Sequence, residues 1–356
     1  MNYKETLFFV GKCLTISHNK ENKNLVKKML TSGKVDWDNV VKLSTTHYVF
    51  PALYCNLKRC EFLKFLPEDL VSYMKHITDL NRERNKQIIE QAKEINEFLL
   101  SHNITPIFLK GTGNLLEGLY EDIAERMVGD IDFLVSPNNF ERTINCLDKN
   151  GYFKKNNTID NSIVNRHYPK ITKENKIAAV EIHYRMISKD SIFGYKHINN
   201  NLMNIKKNIK VLSYSDQILM TSYNKQINDF GQWFKTPSLR NTYDLFLLSN
   251  IISSKKVFAR LNNQYSRYIN NFALSSEKLL NLKNQIINSN SVTTKNKEFV
   301  KKQLSYLYNP EKSVKNRKRW ETFFKYRSRI FFFLALFRNK SHRKYLVNRI
   351  KSKLKL

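Results

Sequence analysis

The chain has 356 residues, with 61 Lys and Arg against 31 Asp and Glu, a formal net charge of +30 and a pI near 9.8. This length allows about two domains of roughly 150 residues each and a core that needs no staples. An apolar content of 41% excludes a disordered chain, four scattered cysteines exclude a disulfide scaffold, and no apolar run reaches the roughly 18 residues of a membrane span. Free cysteines and a poor N-terminal signal pattern lead to the expectation of a cytoplasmic protein. Glycine and proline total only 16 residues, so long uninterrupted helices are expected.

Residues 1–60 read as short helices. From about Pro67 to Ser101 the pattern is strongly helical, with Ile88, Ala92, Ile95 and Leu99 recurring on one face. The pattern then changes. Thr105–Lys110 (TPIFLK) suits a buried strand, and Gly111–Tyr120 a short helix. Five of the nine glycines fall at 111, 113, 118, 129 and 151, so the unusual backbone demands concentrate here. Asp130–Val135 (DIDFLV) is a second strand. Ser136 and Pro137 open a helix that ends before Gly151. Asn165–Thr172 and Ile177–Met186 are strand-like and joined at Lys173–Lys176 as a hairpin. Helix returns from Ser215, with candidates at Asp216–Gln226, Ser238–Ile252, Lys255–Ile269 and Ser275–Ile287. The expected fold class is α+β, a small mixed-sheet core flanked by helical regions. Its divisions are 1–101 (N-terminal helices), 102–212 (core), 213–310 (C-terminal helices) and 311–356 (basic amphipathic tail).

The chemistry centres on Asp130 and Asp132. Residues i and i+2 of a strand share a face, so these carboxylates lie together while Ile131, Phe133 and Val135 point into a core. Two neighbouring carboxylates withdrawn from water need a cation to answer them. An oxygen-preferring divalent ion, Mg²⁺ or Mn²⁺, is the simplest answer. In Ala179–Met186 (AVEIHYRM), Glu181, His183 and Arg185 share a face. If this strand adjoins the Asp130 strand, Glu181 completes a carboxylate cluster able to hold two metal ions for in-line phosphoryl displacement. Lys110, Gly111 and Thr112 stand at a strand-to-helix junction, where exposed N–H groups and a lysine suit a phosphate. His167 and His183 are read either as site residues or as imidazoles satisfied by a neighbour.

The ordered set resembles the DNA polymerase β-like nucleotidyltransferase superfamily, and within it a large bacterial group of uncharacterised nucleotidyltransferases. Ile107–Gly111 (IFLKG) is similar to that group's Leu-Lys-Gly motif. Arg126 with Asp130–Val135 resembles its Arg-x3-Asp-x-Asp-x-Leu-Val motif, and Val180–Tyr184 (VEIHY) its Glu-Leu-His-Trp motif. His47 to Tyr54 and Asn81 to Leu100 resemble its helical stretches, and the likeness covers roughly 43–250. Two features depart from the wider superfamily: Gly111-Thr112 stands well upstream of the aspartates, and Ser222–Phe230 contains no histidine.

The resemblance implies a metal-dependent enzyme that moves an NMP group from an NTP to an unknown hydroxyl acceptor and releases pyrophosphate. Asp130, Asp132 and Glu181 would be its metal ligands and catalytic carboxylates. Lys110, Gly111, Thr112, Arg126 and His183 are expected to contact the nucleotide, with Arg126 alternatively bracing Asp130 through a bidentate pair. Asp244 reads as a structural carboxylate. The competing expectation is an inactive protein of the same fold that binds nucleic acid through its basic surface or lies peripherally on the inner membrane face. Residues 311–356 carry sixteen Lys and Arg and two acids, a local net of +14. They interleave these charges with Phe331–Phe333, Leu334 and Phe337, the pattern of an anchor on an anionic membrane or nucleic acid. The plainer reading packs that apolar run onto the domain.

Overall fold

The computed structural model describes residues 1–154, 166–187, 193–261 and 264–354. Seven strands form one mixed sheet: β1 (Ile107–Phe108), β2 (Asp130–Leu134), β3 (Phe153–Lys154), β4 (Ile171–Thr172), β5 (Ala179–His183), β6 (Leu202–Ile205) and β7 (Ile209–Leu212). Their spatial order is β3-β4-β5-β2-β1-β7-β6. β2 runs parallel to β5 and β1 parallel to β7, and the other neighbours are antiparallel. Most of the remaining described chain is helical, so the fold is α+β as expected. The chain forms two compact units. Residues 1–89, 114–128 and 213–310 make a helical unit. Residues 90–113, 129–212 and 311–356 make a unit that holds every described strand.

The helix Glu68–Ser101 starts directly after Pro67 and buries the predicted stripe of Ile88, Ala92, Ile95 and Leu99. It stops where Asn103 turns to φ 55 and the Ile104 N–H returns to the Leu99 carbonyl at 2.9 Å, a left-handed cap that asparagine tolerates. Gln91 on this helix accepts from the Ala178 N–H and donates to the Ala178 carbonyl, both at 3.0 Å. A side-chain amide thereby stands in for a strand partner just before β5 and fixes where that strand begins.

Several elements differ from the sequence reading. β1 is two residues long, because the chain turns into the helix Lys110–Glu117 straight after Leu109. Pro137–Asn139 forms a 3-10 turn ahead of the helix Phe140–Lys149, and Ser136 gives no side-chain cap. Gly151, at φ 82, follows the end of that helix as expected. The hairpin is present as β4 and β5, though Asn165 of its expected first strand lies outside the described residues. The β6–β7 hairpin was not foreseen. The two expected helices Lys255–Ile269 and Ser275–Ile287 are instead Ser254–Ala259 and Ser266–Leu279, with 262–263 outside the described residues. The second ends at Asn281, φ 53, and the Glu277 carboxylate then accepts from the N–H groups of Ile286 and Ile287 at 2.8 and 3.1 Å. That pair of bonds holds 280–287 as a loop.

Candidate active site

β2 and β5 lie side by side in parallel, with Asp132 opposite Glu181 and Asp130 opposite Ala179. Period-2 alternation sends Ile131, Phe133, Val180 and Ile182 into the core, each fully buried. It leaves Asp130, Asp132, Glu181 and His183 on the opposite face. Asp132 and Glu181 are each 7% exposed and His183 is 0% exposed.

The tight set is Asp132, Glu181 and His183, whose ligand atoms all lie within 4.8 Å of one another. Among the described residues Asp130 is not part of it. Its register places it one pleat repeat away, where Lys170 Nζ meets its Oδ2 at 2.7 Å. The expected trio of carboxylates is therefore two carboxylates and an imidazole, with Asp130 at the rim. His183 Nε2 stands 2.9 Å from Asp132 Oδ1 and 3.4 Å from Glu181 Oε2, while its buried Nδ1 has no partner among the described residues. Nε2 can either donate a hydrogen bond to Asp132 or offer its lone pair to a cation, according to the ring tautomer.

Two lysines answer the carboxylates. Lys110 Nζ lies 2.6 Å from Asp132 Oδ1 and 3.7 Å from Glu181 Oε2. Lys110 is placed by an unusual backbone. Its φ is 53, a left-handed conformation that costs a non-glycine residue roughly 1 kcal/mol. Two contacts hold the junction there. Thr112 Oγ1 donates to the Asp130 carbonyl at 3.0 Å. A Cβ on Gly113 would sit 2.8 Å from the Phe108 carbonyl oxygen, so only glycine lets this helix start approach β1 so closely. Gly111 is buried in the same first turn.

Lys170 is the second lysine, 3.6 Å from Glu181 Oε1 as well as paired with Asp130. Sequence reading did not single it out. Between the pairs Ile171↔Val180 and His167↔His183, one chain spends four residue steps and the other three. The extra residue is a β-bulge, a local kink that re-aims side chains, and it directs Lys170 at the carboxylates. Its signal in the sequence is the hairpin register itself, which sets Lys170 across from Glu181 as an opposite-charge pair.

The electrostatics follow from these contacts. Burial pushes the Asp132 carboxyl up, but the Lys110 ammonium and the His183 bond outweigh it and hold the group well below the usual carboxylate range. For Glu181 burial again acts upward, and the His183 bond and Lys110 bring the net shift down despite repulsion from Asp132. Burial acts to lower Lys170, yet its bond to Asp130 raises it overall. Burial holds His167 below its ordinary value.

Arg126 belongs to the helical unit. Asp244, the carboxylate read as structural, takes its guanidinium: Nε lies 3.1 Å from both carboxylate oxygens and Nη2 3.0 Å from Oδ2. Tyr120 donates to the same aspartate at 2.7 Å. The 122–128 segment carrying Arg126 is also lashed to the long helix. Asn81 donates to the Ala124 carbonyl at 2.7 Å, Asn85 to the Arg126 carbonyl at 2.7 Å, and Arg82 pairs with Asp122 at 2.7 Å.

Residues 33–268 match the uncharacterised nucleotidyltransferase family, two thirds of the sequence and every site residue named above. The chain belongs to that family. No curated protein and no solved structure matches it. Nucleotidyltransferases of this kind are transferases that generally use divalent metals, and the donor set of this family member fits one. Two carboxylate oxygens and an imidazole nitrogen suit a divalent cation. Imidazole is a ligand of transition metals, whereas Mg²⁺ is held mainly by oxygen.

Proposed function

We propose that this protein is a metal-dependent nucleotidyltransferase that moves an NMP group from an NTP to an acceptor hydroxyl, within the DNA polymerase β-like superfamily. The observation that carries the reading is the register of β2 against β5, which seats Asp132 beside Glu181 with His183 completing the donor set. In the proposed reaction the acceptor oxygen bonds to the α-phosphorus and the bond from that phosphorus to the β-phosphate bridge breaks. Pyrophosphate leaves, and the hydroxyl proton passes to one of the carboxylates, Asp132 or Glu181.

Asp132, Glu181 and His183 would hold a divalent cation, with Asp130 at the rim, and such a cation would supply charge for the phosphoryl oxygens and lower the pKa of the attacking hydroxyl. Lys110 and Lys170, beside these carboxylates, offset developing charge on the phosphates. Gly111 and Thr112 present the N–H groups of the helix start to the nucleotide. Arg126, engaged by Asp244, positions the segment that leads into β2.

The test is label transfer. The protein is incubated with α-³²P-labelled NTPs, Mn²⁺ and a lysate as acceptor source. Label retained on an acceptor by the wild type, and lost in Asp132→Asn and Glu181→Gln, supports the proposal. Undiminished transfer by either variant removes it.

A further inference from the structure

The last two helices lie beyond the family match and do something the sheet does not. They span Pro310–Arg338 and Lys340–Leu354 and are joined at Asn339. A straight rod would set residues 332 and 345 about 20 Å apart, yet the Phe332 and Tyr345 ring centroids are 5.5 Å apart. Phe332 also meets His342 at 5.7 Å, and Arg343 Nη1 donates to the Leu336 carbonyl at 2.8 Å. The chain therefore bends sharply at Asn339.

Charge and apolarity are segregated along this bent pair of helices rather than around it. The eight residues Ile330–Phe337 contain no charge and lie against the bend. Eight Lys and Arg precede them from 311 onward, and eight follow them to the end of the sequence. Of the two acids, Glu321 is paired with Arg317 at 2.7 Å. The apolar run is not packed onto the protein: Ile330 and Phe333 are 60% exposed, Phe331 57%, Leu334 53% and Phe337 71%. Such a contiguous exposed apolar patch marks an interaction site.

We propose that this bent pair of helices docks on an anionic lipid bilayer, with the Ile330–Phe337 run inserted at the headgroup–acyl boundary and the basic stretches on either side lying over the lipid phosphates. The charge pattern selects this occupant. A second copy would bring a second set of sixteen cations against the first. A nucleic acid would neutralise the basic stretches but has no use for exposed Ile330 and Leu334, which neither stack on bases nor hydrogen-bond. A bilayer surface takes both chemistries at once, apolar side chains at a depth of roughly 5–10 Å and cations at the phosphates. No described helix is long and apolar enough to cross a membrane, so the association is peripheral. The proposal does not depend on the catalytic reading.

The test is sedimentation of the full chain with vesicles of phosphatidylcholine alone or with 30% phosphatidylglycerol. The comparison variant carries Phe331→Ser, Phe333→Ser and Phe337→Ser together; these side chains are exposed, and unchanged circular dichroism confirms its fold. The expected result is binding at least tenfold stronger to the anionic vesicles, weakened by 0.5 M salt and reduced at least tenfold in the variant. Phe337→Ser alone gives a smaller loss in the same direction. Three results overturn it: no sedimentation with either vesicle, anionic-vesicle binding that the triple variant retains in full, or preferential capture of generic RNA. A concentration-dependent dimer that the triple variant abolishes, without vesicle binding, assigns the patch to a second copy and also overturns it.

Discussion

The candidate site on the sheet and the surroundings of Lys225 in the helical unit bury charge in opposite ways. On the sheet, Asp132 and Glu181 are met by Lys110 and His183, and both carboxyls end below their ordinary pKa. In the helical unit, Lys225 is 8% exposed and, among the described residues, its ammonium meets only the Thr236 hydroxyl, at 3.3 Å. Burial, with Arg240 nearby, pushes Lys225 down to about 8 against a weaker upward pull from Asp229. Arg240 lies over the Tyr48 ring while its Nε finds no hydrogen-bond partner. Buried charge is tolerable when paired and costly when it is not. The first region thus pairs the charge it buries. The second carries a cation that the fold holds at a cost.

That contrast breaks most visibly at the site. Asp132→Asn removes a ligand without changing shape and should cut label transfer by at least ~10³-fold, on the scale of losing a main electrostatic stabiliser. Its circular dichroism should stay unchanged, and a variant within tenfold of wild type would dissolve the assignment. Next comes the paired charge of the helical unit. Arg126→Met leaves Asp244 and Tyr120 buried without their cation and should cost about 3–5 kcal/mol in urea unfolding. Arg126→Met with Asp244→Leu should recover much of that loss.

The unpaired lysine should respond with the opposite sign. Lys225→Met is expected to stabilise the protein by about 1–3 kcal/mol at pH 7. The folded pKa, about 8, lies below the ordinary lysine value of 10.5. Between those values the unfolded chain binds more protons, so wild-type stability rises with pH across that window. The advantage of Lys225→Met should therefore shrink toward pH 10.5. A gain independent of pH would mean that burial does not shift the lysine's pKa. The smallest effect sharpens the metal assignment. Mn²⁺ should bind roughly tenfold more tightly than Mg²⁺ in calorimetric titration, and His183→Gln should erase that difference. Equal binding of both ions by the wild type would remove His183 from the donor set.

Much of this was legible in the sequence because the signals are local. Alternation alone places Asp130 and Asp132 on one face and Glu181 with His183 on another strand, and the 88/92/95/99 spacing marks the long helix. What stayed hidden depends on partners distant in sequence. Asp244 is 118 residues from Arg126, so no local pattern tells bracing of Asp130 from engagement by Asp244. Lys170 comes to the site through the β4–β5 register, which sets it across from Glu181 and is invisible until the hairpin is paired. The β6–β7 hairpin had a faint signal in the alternation of Ile209 and Val211 and the Lys206–Asn208 turn, where Asn208 takes φ 57. The lysine- and asparagine-rich composition masked it. The apolar run in the last helices was equally consistent with packing or display until exposure separated the two.

The central claim is that carboxylates brought together by β2 and β5 serve transfer of the α-phosphoryl nucleotide. Its most direct measurement pairs α-³²P- with γ-³²P-labelled ATP and repeats the α-label experiment with GTP, CTP and UTP. The account predicts acceptor-bound α-label with at least one nucleotide, no acceptor-bound γ-label, and neither in Asp132→Asn. Acceptor-bound γ-label, or α-label that persists in Asp132→Asn, would contradict it.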